Sequence, residues 1–357
     1  MKKGYLFSII FFLVNLLLLF SCTKDKPFTY SPKIYTASIP KAIEEKIGPF
    51  YSGIDNVTTE EGIFLGRKLF YDTRLSGDNS VACSNCHQQQ FAFADQNVFS
   101  DGINHIPTSR NSPTIFNQSW SKHFFWDGRR QSLETQAHDP ITSVTEMNGN
   151  WDVIIERLQN DNIYPILFYQ AFGSGLIDSI SITKAIAQFE RSLISYNSKF
   201  DQFYATKDSS LLNASELRGF EIFLHKGTCN ACHTLPLGHL NAFFNIGLEK
   251  GIEDSGLAKI TGLASDIGKI KSPSIRNLSY SAPYMHNGKF KTLREVLNFY
   301  NNDINERSPN IDSHLMPLFT NRGSLSTQDL EDLEHFLMTL NDESFIHNSS
   351  FSNPSFK

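Results

Sequence analysis

The sequence predicts an all-α fold with long loops, divided into two domains of similar design. Apolar residues recur with a helical period in several segments, whereas strand patterns are few and Gly- and Asn-rich loops are many. A helix, a short turn and a C-x-x-C-H motif follow one another twice, which indicates an internal duplication. We therefore expect two domains, each built around something other than a continuous apolar core.

Six segments are predicted to be helices. Thr58 or Thr59 can cap the first of them, and Ser326 or Thr327 can begin the last. The segments are residues 59–70, 151–158, 182–196, 215–224, 293–300 and 327–340. The third has one apolar face, formed by Ile182, Ile186, Phe189, Leu193 and Ile194.

Length and composition limit the function classes. The chain has 357 residues, enough for a leader and two compact domains. Hydrophobic residues make up 40% of the chain and charged residues 19%, as in soluble globular proteins with packed cores. The net charge is −5 and no long run of one sign occurs, which argues against a nucleic-acid-binding protein.

The N-terminus has the pattern of an export signal. Lys2 and Lys3 precede an almost wholly apolar stretch, residues 6–20. This stretch is shorter than the ~20 apolar residues of a membrane-spanning helix, so we expect it to target the chain for export.

The end of this stretch resembles a bacterial lipobox, in which Cys22 is lipidated and becomes the mature N-terminus. Ordinary cleavage nearby is the alternative, because Phe20 is bulkier than that motif usually carries. We expect residues 1–22 to be a lipoprotein signal peptide and the polar, Pro-containing residues 23–40 to be a tether. The predicted domains are residues 41–205 and 206–345, followed by a tail, residues 346–357.

The other four cysteines all lie in the two C-x-x-C-H motifs, residues 83–87 (CSNCH) and 229–233 (CNACH). Two thiols at this spacing reach the two vinyl groups of one haem, and the adjacent His can bind its iron. We expect two covalent c-type haems. The attachment residues are Cys83, Cys86, Cys229 and Cys232, with His87 and His233 as iron ligands.

Two other uses of the cysteines fit less well. A structural zinc site would require both Cys pairs within one small module, and here they are far apart in sequence. A thioredoxin-like C-x-x-C needs a βαβ context, which is absent, and would not occur twice with a following His.

The sequence around the motifs resembles the di-haem cytochrome c peroxidases and their relative MauG, from about residue 62 to about residue 340. The matching segments are FYDTRLS (70–76), RNSPT (110–114), FWDGR (125–129), IRN (275–277) and APYMHNG (282–288), with Gln136, Pro140-Ile141 and Glu146-Met147. The resemblance implies that one haem receives electrons from a small donor protein. The N-terminal domain's haem then meets peroxide.

The resemblance also implies roles for individual residues. Trp126 corresponds to the aromatic residue between the haems. Glu146 corresponds to the general acid/base, which takes a proton from peroxide and returns it to the leaving oxygen. Gln136 would hydrogen-bond the peroxide or an ordered water, and Pro140 would shape the pocket.

An interdomain calcium ion is implied by the same resemblance. Asn111 corresponds to its side-chain ligand, and the carbonyls of Ser281 and Pro283 correspond to its backbone ligands. Neutral oxygens with water are acceptable ligands for this ion.

The sixth ligand of the second haem distinguishes two kinds of enzyme. Electron-transferring peroxidases place a Met fourteen residues after the His of the Pro-Tyr-x-His motif, where this chain has Tyr300. MauG has a Tyr there, and a phenolate stabilises ferric iron more than a thioether does. We prefer Tyr300, with Met285 and Met316 as alternatives.

The sixth ligand of the first haem is also open. Some family members carry a displaceable His in the loop that holds His105 here, although theirs is spaced slightly further from the Arg-Asn pair. His105 is therefore either a removable ligand or an ordinary loop residue. Without it the first haem would be five-coordinate.

The predicted function is reduction of hydrogen peroxide with electrons from a small cytochrome or cupredoxin. The first alternative is a MauG-like enzyme that oxidises residues of a partner protein. It is weakened because Gly227-Thr228 stands where MauG has a surface Trp, and the three Trp residues all lie in the first half. The second alternative, a non-catalytic electron carrier, has no need of Gln136 and Glu146. We expect a periplasmic lipoprotein held to the membrane by its lipid alone, and a homodimer is left open.

Overall fold

The computed structural model describes residues 30–249, 251, 253–316 and 324–354. Most of these residues lie in helices and loops, as predicted. The α-helices are α1 Lys41–Ile47, α2 Glu60–Phe70, α3 Cys83–Cys86, α4 Leu133–Thr142, α5 Trp151–Gln159, α6 Tyr164–Phe172, α7 Ser179–Ser192, α8 Lys199–Thr206, α9 Ala214–Glu221, α10 Ala258–Thr261, α11 Leu293–Asn298, α12 Thr327–Met338 and α13 Glu343–Ile346. The predicted signal peptide and Cys22 lie outside the described residues.

Sheet structure in the described residues is limited to one antiparallel pair, β1 Phe243–Phe244 and β2 Ile270–Lys271, with Phe243 opposite Lys271. Two π-helical segments, Ile222–Lys226 and Phe299–Asp303, directly continue α9 and α11. Within the part of the chain that the structure describes, no helix is long and apolar enough to cross a membrane.

The six predicted helices are present with small changes at their ends. The Thr59 hydroxyl accepts a hydrogen bond from the Gly62 amide and begins α2, as predicted. Ser326 caps α12 in the same way. Helix α7 starts earlier than predicted and ends at Ser192, because Leu193 leaves the helical conformation with ψ of 83°. The apolar pattern continues past Leu193, so periodicity alone overextended this helix.

Each half contains one helix pair packed through a glycine. Helix α2 lies against α7, and a Cβ placed on Gly66 would be 1.9 Å from the Ala185 carbonyl oxygen. Helix α9 lies against α12, and a Cβ on Gly219 would be 1.9 Å from the Asp332 carbonyl oxygen. The helix before each C-x-x-C-H motif is therefore fixed against the last long helix of its half.

The duplication extends beyond these pairs. Phe124 pairs with Arg130 across a tight loop, and Tyr284 pairs with Phe290 across a second loop of the same form. The sequence of residues 113–137 aligns without a gap with that of residues 273–297, and in this alignment Trp126 corresponds to His286.

The described residues from Pro32 onward cluster as one compact unit. Residues near both of its ends pack on the first half: Ile34 bridges to Thr59, and the Tyr71 hydroxyl donates to the Phe351 carbonyl at 2.8 Å. Arg67 also donates to backbone carbonyls of the final segment, at Ser349 and Ser352. Part of the predicted tether and part of the predicted tail are thus ordered against α2.

Candidate functional site

The first C-x-x-C-H motif lies on the wall of a cavity of about 940 Å³. Cys83 and Cys86 are the ends of the single-turn helix α3, and His87 follows it. The His87 Nδ1 lies 2.9 Å from the Phe93 carbonyl oxygen, so it is the nitrogen that carries the proton. The other nitrogen, Nε2, is left as an iron ligand, and burial lowers the pKa of His87, which favours the neutral form that metals require.

The second motif repeats this arrangement in a smaller cavity of about 230 Å³, lined by Cys229, Cys232 and His233. The His233 Nδ1 lies 3.2 Å from the Gly238 carbonyl oxygen and 3.1 Å from that of Pro273. Burial lowers the pKa of His233 as well. Each motif therefore offers one oriented imidazole nitrogen as an iron ligand and two nearby thiols for covalent attachment, which are the groups that a c-type haem requires.

The four cysteine side chains are partly buried and form no disulfide with one another. Burial raises the pKa of Cys86 to about 11, of Cys229 to about 12 and of Cys232 to about 11, so they are neutral thiols at neutral pH. Within the described residues, no group of three or more His, Cys, Asp or Glu side chains could hold a metal ion.

The first cavity also contains the predicted acid/base pair. Gln136, on α4, and Glu146, in the loop after it, both line this cavity with the motif. Burial raises the pKa of Glu146, Arg129 opposes the shift, and Asp139 adds to it. The Glu146 backbone is fixed, because its carbonyl accepts a hydrogen bond of 2.7 Å from the Ile103 amide. A carboxyl with a raised pKa at this position can both accept and donate a proton.

Trp126 lines both cavities, as the predicted bridging role requires. The residue is buried, and its Nε1–H donates to the Asn111 carbonyl oxygen at 2.8 Å. The His286 ring lies edge-on to the indole at a centroid distance of 6.3 Å and also lines both cavities. The aromatic pair thus occupies the space between the two C-x-x-C-H motifs.

Ion pairs fix the loop that carries Trp126. Arg110 contacts Asp127 at 2.7 Å and Asp254 at 2.6 Å, and so joins this loop to the second half. Arg129 contacts the same Asp127 at 3.2 Å. Asp127 is buried, and burial of a carboxyl group costs free energy unless the group has such partners. The network therefore limits rotation of the loop around Trp126.

The candidate sixth ligands are placed differently. Tyr300, in the second π-helical segment, and Met285 both line the second cavity. Burial raises the pKa of Tyr300. Met316 is 53% exposed and does not line this cavity. His105 is exposed and lines neither cavity, so its predicted ligand role would require the loop to move.

The predicted calcium ligands share one cavity wall, because Asn111, Ser281 and Pro283 all line the second cavity. The Asn111 side-chain nitrogen donates to the carbonyls of Asn97 and Val98, at 3.0 and 3.2 Å. Its amide oxygen is the atom that remains for a cation. This donor set suits a hard cation, and the site remains a prediction.

Lys271 and Glu190 are among the cavity residues that sequence reasoning missed. Lys271, on β2, lines both cavities, and its backbone amide donates to the Trp126 carbonyl at 2.8 Å. Glu190, on α7, lines the first cavity and is buried. A signal for Glu190 was available, because it lies four residues after Ile186 on the apolar face of the helix.

Comparisons with known proteins agree with this geometry. A family model described as di-haem cytochrome c peroxidase matches residues 60–209. The methylamine utilization protein MauG of Methylorubrum extorquens is 36% identical over 291 residues, which cover 81% of this chain and 80% of the relative. The cytochrome-c peroxidase IdrP1 of Pseudomonas sp. (strain SCT) is 34% identical over 327 residues, with coverage of 82% and 84%. A crystal structure of a MauG-like protein associated with microbial copper homeostasis superposes with a TM-score of 0.81 at 31% identity, covering 90% of this chain and 99% of that one. The chain belongs to the di-haem cytochrome c peroxidase and MauG family.

Proposed function

We propose that this protein reduces hydrogen peroxide to water, with electrons from a small cytochrome or cupredoxin. The observation that carries the proposal is the position of Glu146 and Gln136 on the wall of the cavity that holds His87. An electron carrier needs no proton-transfer group beside its cofactor. The residues that would hold the two haems are Cys83, Cys86, His87, Cys229, Cys232 and His233.

A bound haem would supply a redox-active iron to the first cavity. The overall reaction takes one peroxide, two electrons and two protons to two waters. Glu146 takes the proton from one peroxide oxygen and returns it to the other, so that the leaving oxygen departs as water. Gln136 holds the peroxide or an ordered water by a hydrogen bond from its amide.

The buried Trp126 serves the transfer of electrons between the cavities. Its indole lines both of them and can be oxidised more easily than an aliphatic side chain. The hydrogen bond to the Asn111 carbonyl and the Arg110 ion pairs keep the ring in one orientation. A calcium ion on Asn111, Ser281 and Pro283 would stabilise the same region.

The site of action would be the periplasmic side of a bacterial membrane. The export pattern of residues 1–22 supports this part of the proposal, and Cys22 would carry the lipid.

A MauG-like oxidation of a partner protein is the second candidate. One observation favours it: Tyr300 lines the second cavity, and it stands at the sequence position where the electron-transferring peroxidases carry a Met. The relatives include both MauG and cytochrome-c peroxidases. Gly227-Thr228 offers no oxidisable side chain next to the second motif, which weakens this candidate.

Reaction stoichiometry separates the two candidates. The purified protein with both haems is mixed with a reduced small cytochrome and limiting hydrogen peroxide. The peroxidase proposal expects two donor molecules oxidised for each peroxide consumed. Peroxide consumption without matching donor oxidation would reject it and favour oxidation of a protein substrate.

A further inference from the structure

Glu190 is a buried carboxyl group, and one of its two oxygens has no hydrogen-bond partner among the described residues. Its side chain is 5% exposed, and its Oε2 atom is among the buried polar atoms that accept no hydrogen bond in the described structure. Most buried polar groups in proteins are paired, so an unpaired carboxyl requires an explanation.

The adjacent cation does not neutralise Glu190. Arg191 binds Glu134 through two hydrogen bonds, at 2.7 and 3.0 Å. Glu134 also accepts a hydrogen bond from Asn56 at 2.7 Å. The arginine that follows Glu190 in sequence is therefore engaged by another carboxylate.

The unpaired group lies at the first cavity. Glu190 lines it together with Ile186, one turn earlier on α7. Burial raises the pKa of the Cys83 thiol, and the charge of Glu190 raises it further. Glu190 is thus beside the thiol that would join the first haem.

The second half provides an internal comparison. Helices α7 and α12 can be aligned through their glycine contacts. A Cβ placed on Gly66 would contact Phe189 of α7, and a Cβ placed on Gly219 would contact Phe336 of α12, so these two phenylalanines are equivalent. In this alignment Glu190 corresponds to Leu337, which is buried and lines the second cavity. The fold therefore accepts an apolar side chain at this position, and packing alone does not require a carboxyl group.

We propose that Glu190 takes up one proton from solvent when one electron enters the haem of the first cavity. The electron comes from the reduced donor protein, and Glu190 changes from carboxylate to carboxylic acid. Charge is balanced, because the added electron and the added proton cancel. The second half, with Leu337, has no equivalent group.

Electrostatics gives the direction of this coupling. Burial raises the pKa of Glu190 to about 8, Arg191 opposes the shift, and Glu134 adds to it. A ferric haem carries one more positive charge than a ferrous haem, and a nearby positive charge favours the carboxylate. The pKa of Glu190 is therefore lower in the oxidised state than in the reduced state. Between the two pKa values, reduction becomes harder as the pH rises.

The test is a spectroelectrochemical titration of both haems in the intact protein, from about pH 6 to about pH 10, which brackets the pKa of about 8. In part of this range, the equilibrium constant for reduction of one haem should fall by up to tenfold for each pH unit. This corresponds to a decrease of about 59 mV in its reduction potential. The other haem should not show this dependence. Glu190→Gln and Glu190→Leu should each remove it.

Glu146→Gln is the matched control, because Glu146 is the other cavity carboxyl that acts on Cys83. The pH dependence should persist in this variant. The assignment would be overturned if the pH dependence were lost in Glu146→Gln and persisted in Glu190→Gln. It would also be overturned if the wild type and Glu190→Gln showed the same pH dependence. A second readout is the proton uptake that accompanies reduction, followed with an indicator dye. The proposal would be refuted if the wild type took up no more protons than Glu190→Gln. Neither measurement depends on peroxide turnover, so failure here is distinct from failure of the peroxidase proposal.

Discussion

Replacement of Glu146 by Gln removes the proton-transfer group and keeps the shape of the side chain. No hydrogen bond to the Glu146 carboxylate is present within the described residues, so the substitution breaks no buried pair there. Glu146 lies in a loop beyond α4 and outside both C-x-x-C-H motifs. We therefore expect the variant to fold and to attach both haems.

General acid–base catalysis contributes a factor of about 10² to 10⁴. Peroxide turnover by Glu146→Gln should fall by this factor, which corresponds to about 2.7 to 5.4 kcal/mol of activation free energy. Glu253→Gln is a matched control, because Glu253 lines the same cavity but is exposed. Steady-state peroxide reduction at equal haem content is the assay, and the control should retain wild-type turnover.

The pH profile adds an independent check. The carboxylate form of Glu146 is needed to accept the first proton, so kcat/KM should fall as the pH drops through its pKa. Because burial raises this pKa, the fall should lie above the ordinary Glu value of about 4.3. The remaining turnover of Glu146→Gln should not show this fall at low pH. The role of Glu146 would be refuted if the substitution left turnover unchanged, or if the fall in kcat/KM at low pH persisted in the variant.

Three further predictions concern the rest of the site. Tyr300→Phe should change the absorption spectrum of the second haem only, and an unaltered spectrum would reassign the ligand, with Met285 next. Trp126→Phe should keep both haems but slow electron transfer between them in stopped-flow measurements, because it removes the indole and its bond to the Asn111 carbonyl; an unchanged rate would exclude the bridging role. Arg276→Met should lower the free energy of unfolding by about 3–5 kcal/mol in denaturant titrations, because it removes the cationic partner of the buried Asp201. A loss below about 1 kcal/mol, the size expected for an exposed pair, would contradict that account.

Much of the fold could be predicted because its signals are local. The C-x-x-C-H spacing is dictated by the distance between the two vinyl groups of a haem, so it is readable without a structure. The caps at Thr59 and Ser326 depend on one side chain and a nearby amide, and both were predicted. The end of α7 was not, because Leu193 continues the apolar pattern after the helix has stopped.

The rest of the site depends on contacts between residues far apart in sequence. Arg110 binds Asp254 of the other half, and no local pattern indicates that pairing. Lys271 reaches the site through a backbone hydrogen bond to Trp126. Glu190 was detectable as a charge on an apolar helix face, but its lack of a partner depends on where Glu134 holds Arg191. Such properties follow only from the packed structure.

The central claim, reduction of peroxide at the cavity that holds Glu146, is tested most directly by steady-state turnover. The purified protein with both haems attached is supplied with hydrogen peroxide and reduced small cytochromes, and donor oxidation is followed. The account predicts fast turnover despite the Tyr300 side chain in the second cavity. Negligible turnover with every donor, while peroxide is still consumed, would contradict it and would direct the search to a protein substrate.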